Sequence, residues 1–341
     1  MAPFFEVPAV PIKVLHVGLG PIGFGVVREI LARPALELVG AVDVDSAKVG
    51  RDLSELIGGR RRTGVKVTAD LSRLLKATRP DIAVLCTGSA LRSVMPDLTV
   101  ILKHKVAVVS TTEELAFPAK SHPALAKRID ALAKRSRVAV LGTGVNPGFL
   151  MDALPIALTG VCSRVDAIEV DRVQDARVRR VPFQLKIGAG LTPAEFAVRV
   201  RDRAIGHVGF TESMSMIAAA MGWKLDRITE EIHPKVATHS VTGGTVPVEA
   251  GQVAGLVQDG AGYRNGKPLV KLHLEAYFGA PESFEAIRIF GDPALSLRLD
   301  GGVHGDVATA AIVVNSIPKV IAAPPGLRTM ADLALPSWWK G

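Results

Sequence analysis

Two adjacent carboxylic acids, Glu113 and Glu114, follow the apolar run Val106-Ala107-Val108-Val109 across the small polar stretch Ser110-Thr111-Thr112. A carboxylate held beside a redox centre can take and return protons as a general base, which contributes about 10²- to 10⁴-fold in rate. Either glutamate can instead cap a helix start and complement its dipole. The residues alone leave both roles open for each, with one glutamate in each role as the working picture. A second chemical pattern lies upstream, where Gly18-Leu19-Gly20-Pro21-Ile22-Gly23 closes the apolar run from Val14 to Val17. Gly18 permits a sharp turn, Gly20 removes a side chain where backbone must approach a pyrophosphate, and Gly23 lets a helix pack closely. Pro21 and Ile22 open that helix, whose N-terminus favours phosphate. Asp43 lies 20 residues past Gly23, placed to accept from the adenosine ribose hydroxyls. It would repel a 2′-phosphate, so NAD is expected over NADP. Lys48, Arg51 and the run Arg60-Arg61-Arg62 can soften that preference and leave NADP possible, although the arginine run reads first as a solvated loop.

The elements that position these groups follow from apolar periodicity. Residues 12 to 145 alternate strand and helix as a doubly wound parallel Rossmann sheet does. Helices are expected over 45–57, 90–104 and 119–136, and strands over 36–43, 65–67, 81–86, 106–109 and 138–141. Ligands of such sheets sit beyond the carboxyl ends of the strands. Thr87, Gly88 and Ser89 are therefore expected near the nicotinamide half of the cofactor, with helix capping as a further role for Thr87 and Ser89. By the same rule Glu113 and Glu114 stand where nicotinamide and substrate meet.

From about residue 160 the pattern changes to an α+β substrate and dimerisation domain with an open, mostly antiparallel sheet. Strands are expected over 165–171, 226–240, 246–259, 268–278, 283–290 and 294–299, with Asn265-Gly266 as a hairpin turn. Helices are expected over 192–205, opened by the capping box Thr192-Pro193-Ala194-Glu195, and from 211 to about 221. An apolar helix over 305–317 opens the tail. The expected division is 1–150 for the dinucleotide domain, 151–304 for the substrate domain, and 305–341 packing back at the domain junction. An exposed sheet face in such a domain commonly becomes a homodimer interface.

Formal charge is +8, but the basic residues are dispersed and no nucleic-acid motif accompanies them, so no nucleic-acid partner is expected. The 2 cysteines, Cys86 and Cys162, form neither a disulfide framework nor a zinc spacing, and no metal is expected. Met1 to Pro11 lacks the pattern of a secretory signal, and no apolar run of about 18 residues is evident, so no membrane partner is expected and a cytoplasmic location is.

On Gly18–Gly23, Ser110-Thr111-Thr112-Glu113-Glu114-Leu115, Gly142-Thr143-Gly144-Val145-Asn146-Pro147-Gly148-Phe149 and Pro182 to Leu191, the chain resembles the NAD(P)-dependent amine dehydrogenases related to 2,4-diaminopentanoate dehydrogenase, within the wider dihydrodipicolinate reductase-like group. Gly206-His207-Val208-Gly209-Phe210-Thr211-Glu212-Ser213 and Gly305-Asp306-Val307-Ala308-Thr309 extend the resemblance over nearly the whole chain. It implies reversible oxidative deamination of a small amine, or of 2,4-diaminopentanoate, and reductive amination of a ketone or aldehyde with ammonia. It favours Glu113 over Glu114 as the catalytic glutamate, and makes Asn146, His207 and Thr309 pocket positions. The His-His-x-x-Lys segment of dihydrodipicolinate reductases is missing, and Thr112-Glu113 stands where homoserine dehydrogenases have Asn-Lys. An imine or dihydrodipicolinate-type reductase is the alternative enzyme, separable by its indifference to ammonia. A non-catalytic NAD-binding sensor is the alternative from another class. A carboxylated substrate would call on Arg172, Arg177, Arg180 or Lys186.

Overall fold

The computed structural model describes residues 10–59 and 61–340; Arg60 of the arginine run and the segment before Val10, where a leader was sought, lie outside the described residues. The first stretch runs β1 (Ile12–Val17), α1 (Pro21–Leu31), β2 (Leu36–Val42), α2 (Leu53–Ile57), β3 (Val67–Thr68), α3 (Leu71–Thr78), β4 (Ile82–Leu85), α4 (Leu91–Lys103), β5 (Ala107–Ser110), α5 (Pro118–Ser121), α6 (Pro123–Ser136) and β6 (Ala139–Gly142). The next stretch holds α7 (Ala153–Leu158), β7 (Arg164–Asp175), α8 (Val181–Lys186), α9 (Pro193–Arg201), α10 (Phe210–Ala220), β8 (Arg227–Val236), β9 (Val253–Arg264), β10 (Lys267–Tyr277), β11 (Phe284–Asp292) and β12 (Leu295–Asp300). The chain ends with α11 (Gly305–Ala322) and β13 (Gly326–Arg328). Two compact units result, one of residues 1–149 with 305–341 and one of residues 150–304.

The first unit is built on a seven-stranded sheet in the order β13-β6-β5-β4-β1-β2-β3, and every pairing is parallel. Strands covered on both faces need side chains that are apolar throughout, and β4 through β6 meet that need with every residue buried. On one face α3, α4 and α6 pack through Leu75, Leu98, Ile101, Leu102 and Ile129 onto Leu15, Val17, Leu85, Val108 and Val140. Burying each such leucine or isoleucine contributes about 1.5–3 kcal/mol. Helix α11 packs against α1 and against β4, β5 and β6. By length and composition α11, 18 residues long, is apolar enough to cross a membrane, contrary to the expectation that no such run exists. Its Val313, Val314, Ile317 and Val320 are instead buried within this unit. At the chain end Trp339 lies under the Arg33 guanidinium, 5.5 Å from ring centroid to carbon, whereas Trp338 is exposed.

The second unit carries a six-stranded sheet in the order β12-β11-β7-β10-β9-β8, antiparallel except for the β7–β10 pair. The hairpin joining β9 to β10 turns at Asn265 and Gly266, both with positive φ, as a two-residue turn matching strand twist requires. Helix α10 lies against β9 and β10, and a Cβ on Gly260 would come within 2.7 Å of the Phe210 ring. Met214 and Met216 of α10 are wholly buried core residues.

Three expected elements differ. The polar helix expected over 45–57 shrinks to α2, because Asp43 and Asp45 each turn the backbone by accepting the amide two residues on (2.9 Å each). The helix expected over 119–136 divides at Pro123, whose ring and missing N–H interrupt the ladder. The strand expected from 246 begins only at Val253, and 237–252 forms turns with one bridge, Val241 to Val248.

Candidate active site

The glycine turn is built as its residue types require. Gly18 has φ +94, and a Cβ there would lie 2.5 Å from the Cys86 carbonyl oxygen, so the turn rests on the end of β4. A Cβ on Gly23 would fall 2.0 Å from the Gly18 carbonyl oxygen, so the helix start can close on the turn only with glycine. Gly20 faces open space, with no atom within 4 Å of where its Cβ would stand. It is the N-cap of α1, which has Pro21 at its first position, no side-chain cap and no acid in its first turn. An uncapped helix end beside a bare backbone cradle fits a dinucleotide pyrophosphate.

Asp43 follows β2 directly, as the sequence placed it, and also holds the turn itself. Its carboxylate accepts the Leu19 amide at 2.7 Å, the Asp45 amide at 2.9 Å and the Lys48 ammonium at 3.3 Å. Burial pushes its pKa up, but the two amides and Lys48 outweigh burial and hold it below the ordinary aspartate value.

His16 belongs to the apolar run of β1 by sequence, and the structure gives it a second role that the pattern does not reveal. It is fully buried, with Nε2 3.0 Å from the Gly18 carbonyl oxygen. Burial, only partly opposed by the Gly18 contact and Asp43, pushes its pKa down to about 4. The ring is therefore neutral at pH 7, and Nε2–H donates to Gly18 from beneath the turn. A lone polar residue inside a parallel strand, two positions before the first glycine, was the available signal.

At the carboxyl edge, β4 ends at Leu85 and is followed by Cys86, Thr87, Gly88 and Ser89. Burial pushes the Cys86 thiol up to about 12, so it stays protonated. Ser110 Oγ donates to the Leu85 carbonyl at 2.8 Å, and Thr112 Oγ1 donates to the Gly88 carbonyl at 2.9 Å. These two bonds fix the turn of 3-10 helix Glu113–Leu115 beside the end of β4. The expected capping of α4 by Thr87 or Ser89 does not occur, since its N-cap is Ala90 without a side-chain bond. Glu114 does that work from a distance in sequence: its carboxylate accepts the Leu91 amide at 2.6 Å and meets His122 Nε2 at 2.9 Å. Glu113, half-buried, opens the same turn.

The loop after β6 packs on this turn, because a Cβ on Gly142 would lie 2.5 Å from the Leu115 carbonyl carbon. The Val145 amide donates to Thr309 Oγ1 of α11 at 3.3 Å, which brings Thr309 beside the buried Asn146. His207 belongs to the second unit, where Gln258 grips its backbone from both sides: the His207 amide donates to Oε1 at 2.7 Å and Nε2 donates to its carbonyl at 3.0 Å. Its ring stands edge-on to Phe210 at 6.0 Å.

Each of the four candidate cations has interactions of its own. Arg172, 2% exposed, faces Glu285 at 3.4 Å and donates to the Val303 carbonyl at 3.0 Å. Arg177 chelates Asp175. Arg180 is the N-cap of α8 and Lys186 its last residue. Among the described residues no group of three or more His, Cys, Asp or Glu is placed to hold a metal ion.

Known proteins resemble the chain over nearly its full length. Residues 12–143 match the family model of the dihydrodipicolinate reductase N-terminus, and residues 149–341 match that of the 2,4-diaminopentanoate dehydrogenase C-terminal domain. A 2,4-diaminopentanoate dehydrogenase of Acetoanaerobium sticklandii is 35% identical, over 95% of this chain and 94% of its own. An amine dehydrogenase of Streptomyces virginiae is 24% identical, over 93% and 95%. The solved structure of an amine dehydrogenase from Mycobacterium smegmatis superposes with a TM-score of 0.87 at 26% identity, covering 98% of this chain and 99% of that one.

Proposed function

Since the chain belongs to the 2,4-diaminopentanoate dehydrogenase family and is an NAD(P)-dependent dehydrogenase of amines, we propose that Glu113 is its general acid–base. The substrate is a small amine or 2,4-diaminopentanoate in the deaminating direction, and a ketone or aldehyde with ammonia in the other. One observation supports the choice that the family resemblance favours: the Glu114 carboxylate accepts the Leu91 amide and meets His122, which gives that glutamate a structural role at the α4 terminus.

When bound, the nicotinamide supplies the two-electron redox chemistry of the amine-bearing carbon. The protein supplies position and proton transfer. Gly18, Gly20, Pro21, Ile22 and Gly23 hold the pyrophosphate, Asp43 the adenosine ribose, and Thr87, Gly88 and Ser89 border the nicotinamide half. In deamination, the Glu113 carboxylate takes a proton from the substrate ammonium and frees the nitrogen lone pair. Glu113 passes that proton to solvent and, once the substrate is oxidised to an iminium, takes a proton from water as its oxygen bonds to that carbon. Glu113 then returns this proton to the carbinolamine nitrogen and takes the hydroxyl proton as the C–N bond breaks, so that ammonia leaves and the carbonyl forms. Each proton that Glu113 takes it later releases, so one group serves every step. Asn146 and Thr309 contribute to orienting the substrate within the first unit, and His207 of the second unit keeps the substrate role that the family resemblance gives it.

The same reading includes a homodimer formed on the outward face of the six-stranded sheet, where Glu169, Asp171, Lys271, His273 and Arg288 surround a shallow groove of about 390 Å³. It also includes a cytoplasmic location, in keeping with cysteines that form no disulfide. The test of the reaction is NADH or NADPH oxidation with a panel of small ketones and aldehydes, with and without ammonium at alkaline pH. Ammonium-dependent turnover is expected. Equal turnover without ammonium would instead mean a carbonyl or imine reductase.

A further inference from the structure

The carboxylate at the end of β2 does not meet its ligand alone. Asp43 has a side chain only 10% exposed, and three donors already reach it: the Leu19 amide, the Asp45 amide and Lys48. A carboxylate offers about four lone-pair sites, so one is left for a ribose hydroxyl. The bidentate grip on a ribose diol that an unencumbered aspartate makes is thus reduced to a single bond.

Lys48 is held over this corner. Its ammonium stands 3.3 Å from Asp43 Oδ2 and 3.2 Å from Asp45 Oδ2, with the side chain 22% exposed. The backbone puts it there: two successive aspartate turns reverse the chain, and the Lys48 amide then donates to the Asp45 carbonyl at 2.9 Å. An ammonium has three donors, so two carboxylates leave one for a further anion. The charges support the same arrangement. Burial opposes the Lys48 charge, but its hydrogen bonds to both aspartates raise its pKa, and both aspartates are held below their ordinary range. All three groups are ionised at pH 7, and the corner carries a net charge of about −1 where an aspartate pair alone would carry about −2.

We infer that Lys48 is the specificity-determining residue of the adenosine end, the cation that lets the site take the 2′-phosphate of NADP as well as the free 2′-hydroxyl of NAD. This inference rests on the assignment of Asp43 to the adenosine ribose. A lysine serves as a compact point charge for phosphate, and one already clamped by two carboxylates loses little side-chain freedom when the phosphate arrives.

The test is direct binding of NADH and NADPH to the full chain, read by nicotinamide fluorescence, for the native protein and for Lys48→Met, Lys48→Arg and Asp45→Asn. The native protein binds both. Lys48→Met weakens NADPH by about tenfold or more, the worth of one charge-assisted hydrogen bond, and weakens NADH much less. Lys48→Arg keeps NADPH, and Asp45→Asn tightens it several-fold. Inorganic phosphate as competitor separates recognition of a free phosphate from recognition of the nucleotide, and displacement of NADPH only by adenosine 2′-phosphates is expected. Equal loss of both cofactors in Lys48→Met, or unchanged NADPH binding, overturns the inference. Native protein that binds NADH and not NADPH also overturns it, whereas native protein that binds neither overturns the dinucleotide site itself.

Discussion

Replacing Glu114 by alanine separates the two glutamates, because each change has a different readout. The Leu91 amide loses its acceptor at the first position of α4, a loss worth about 1 kcal/mol at a helix start. The positive end of α4 loses its facing carboxylate, worth about 0.3–1 kcal/mol. The His122 contact, between side chains 19% and 24% exposed, adds about 0.5 kcal/mol at most. Glu114→Ala should therefore lower stability by about 1.5–2 kcal/mol, which for a unit of this size is about 3–8 °C in Tm. Urea denaturation should show a lower midpoint with an unchanged slope, since the same surface is exposed on unfolding. Ammonium-dependent turnover at a temperature where the variant is folded should stay within a fewfold of native. Glu113→Gln should do the reverse, with an unchanged midpoint and turnover lower by about 10²- to 10⁴-fold. Loss of turnover in Glu114→Ala without loss of stability would refute the assignment and move the chemistry to the neighbouring residue.

Other perturbations follow from the buried groups. His16 is held neutral with its folded pKa pushed from 6.5 down to about 4, so the unfolded chain binds the extra proton between those values. Its contribution is complete above pH 6.5 and lost as pH falls toward 4, by about 3 kcal/mol at most; His16→Phe should flatten that acid limb in a series of pH-resolved melts. The same variant leaves the Gly18 carbonyl without its donor, and NADH binding measured by fluorescence should weaken. Glu285→Ala should cost about 3–5 kcal/mol in denaturant unfolding by leaving Arg172 charged and unpaired, while Arg172→Met with Glu285→Met together should recover most of it. His273, between Asp259 at 2.7 Å and Glu275 at 3.2 Å, has its pKa raised above 6.5 despite burial. The stability it adds is full below pH 6.5 and lost as pH rises through the folded value, so His273→Gln should flatten the alkaline side of the stability profile.

The parallel sheet was legible because continuous runs such as Ile82–Leu85 and Ala107–Ser110 have only one way to satisfy burial on both faces. The glycine turn and Asp43 were legible for a similar reason, since backbone approach to phosphate needs specific glycines at specific spacing. From the residues alone, Glu113 and Glu114 were legible only as alternatives. The structural partner of Glu114 was not legible, because it is the amide of Leu91, 23 residues away, which finds its acceptor outside its own loop. Short polar segments failed for a local reason. Asp43 and Asp45 offered their own backbone an alternative to the helix, and periodicity over 45–57 does not register side-chain competition for amides. His16 was hidden by its neighbours: one polar residue in a strand of apolar ones changes neither the period nor the burial pattern.

The first unit is completed by a segment made after the whole of the second unit. Its sheet begins with β1, yet the helix that covers α1 and β4–β6 starts only at Gly305, and the edge strand β13 lies further still. During synthesis the segment 150–304 therefore emerges, and can close its own sheet, while the earlier-made unit still has one apolar face bare. Domains made first are ordinarily the first to fold; here the earlier-made unit cannot be completed until the later one has been synthesised. The side of α1 and of β4–β6 that α11 covers stays bare for the time needed to translate 155 residues.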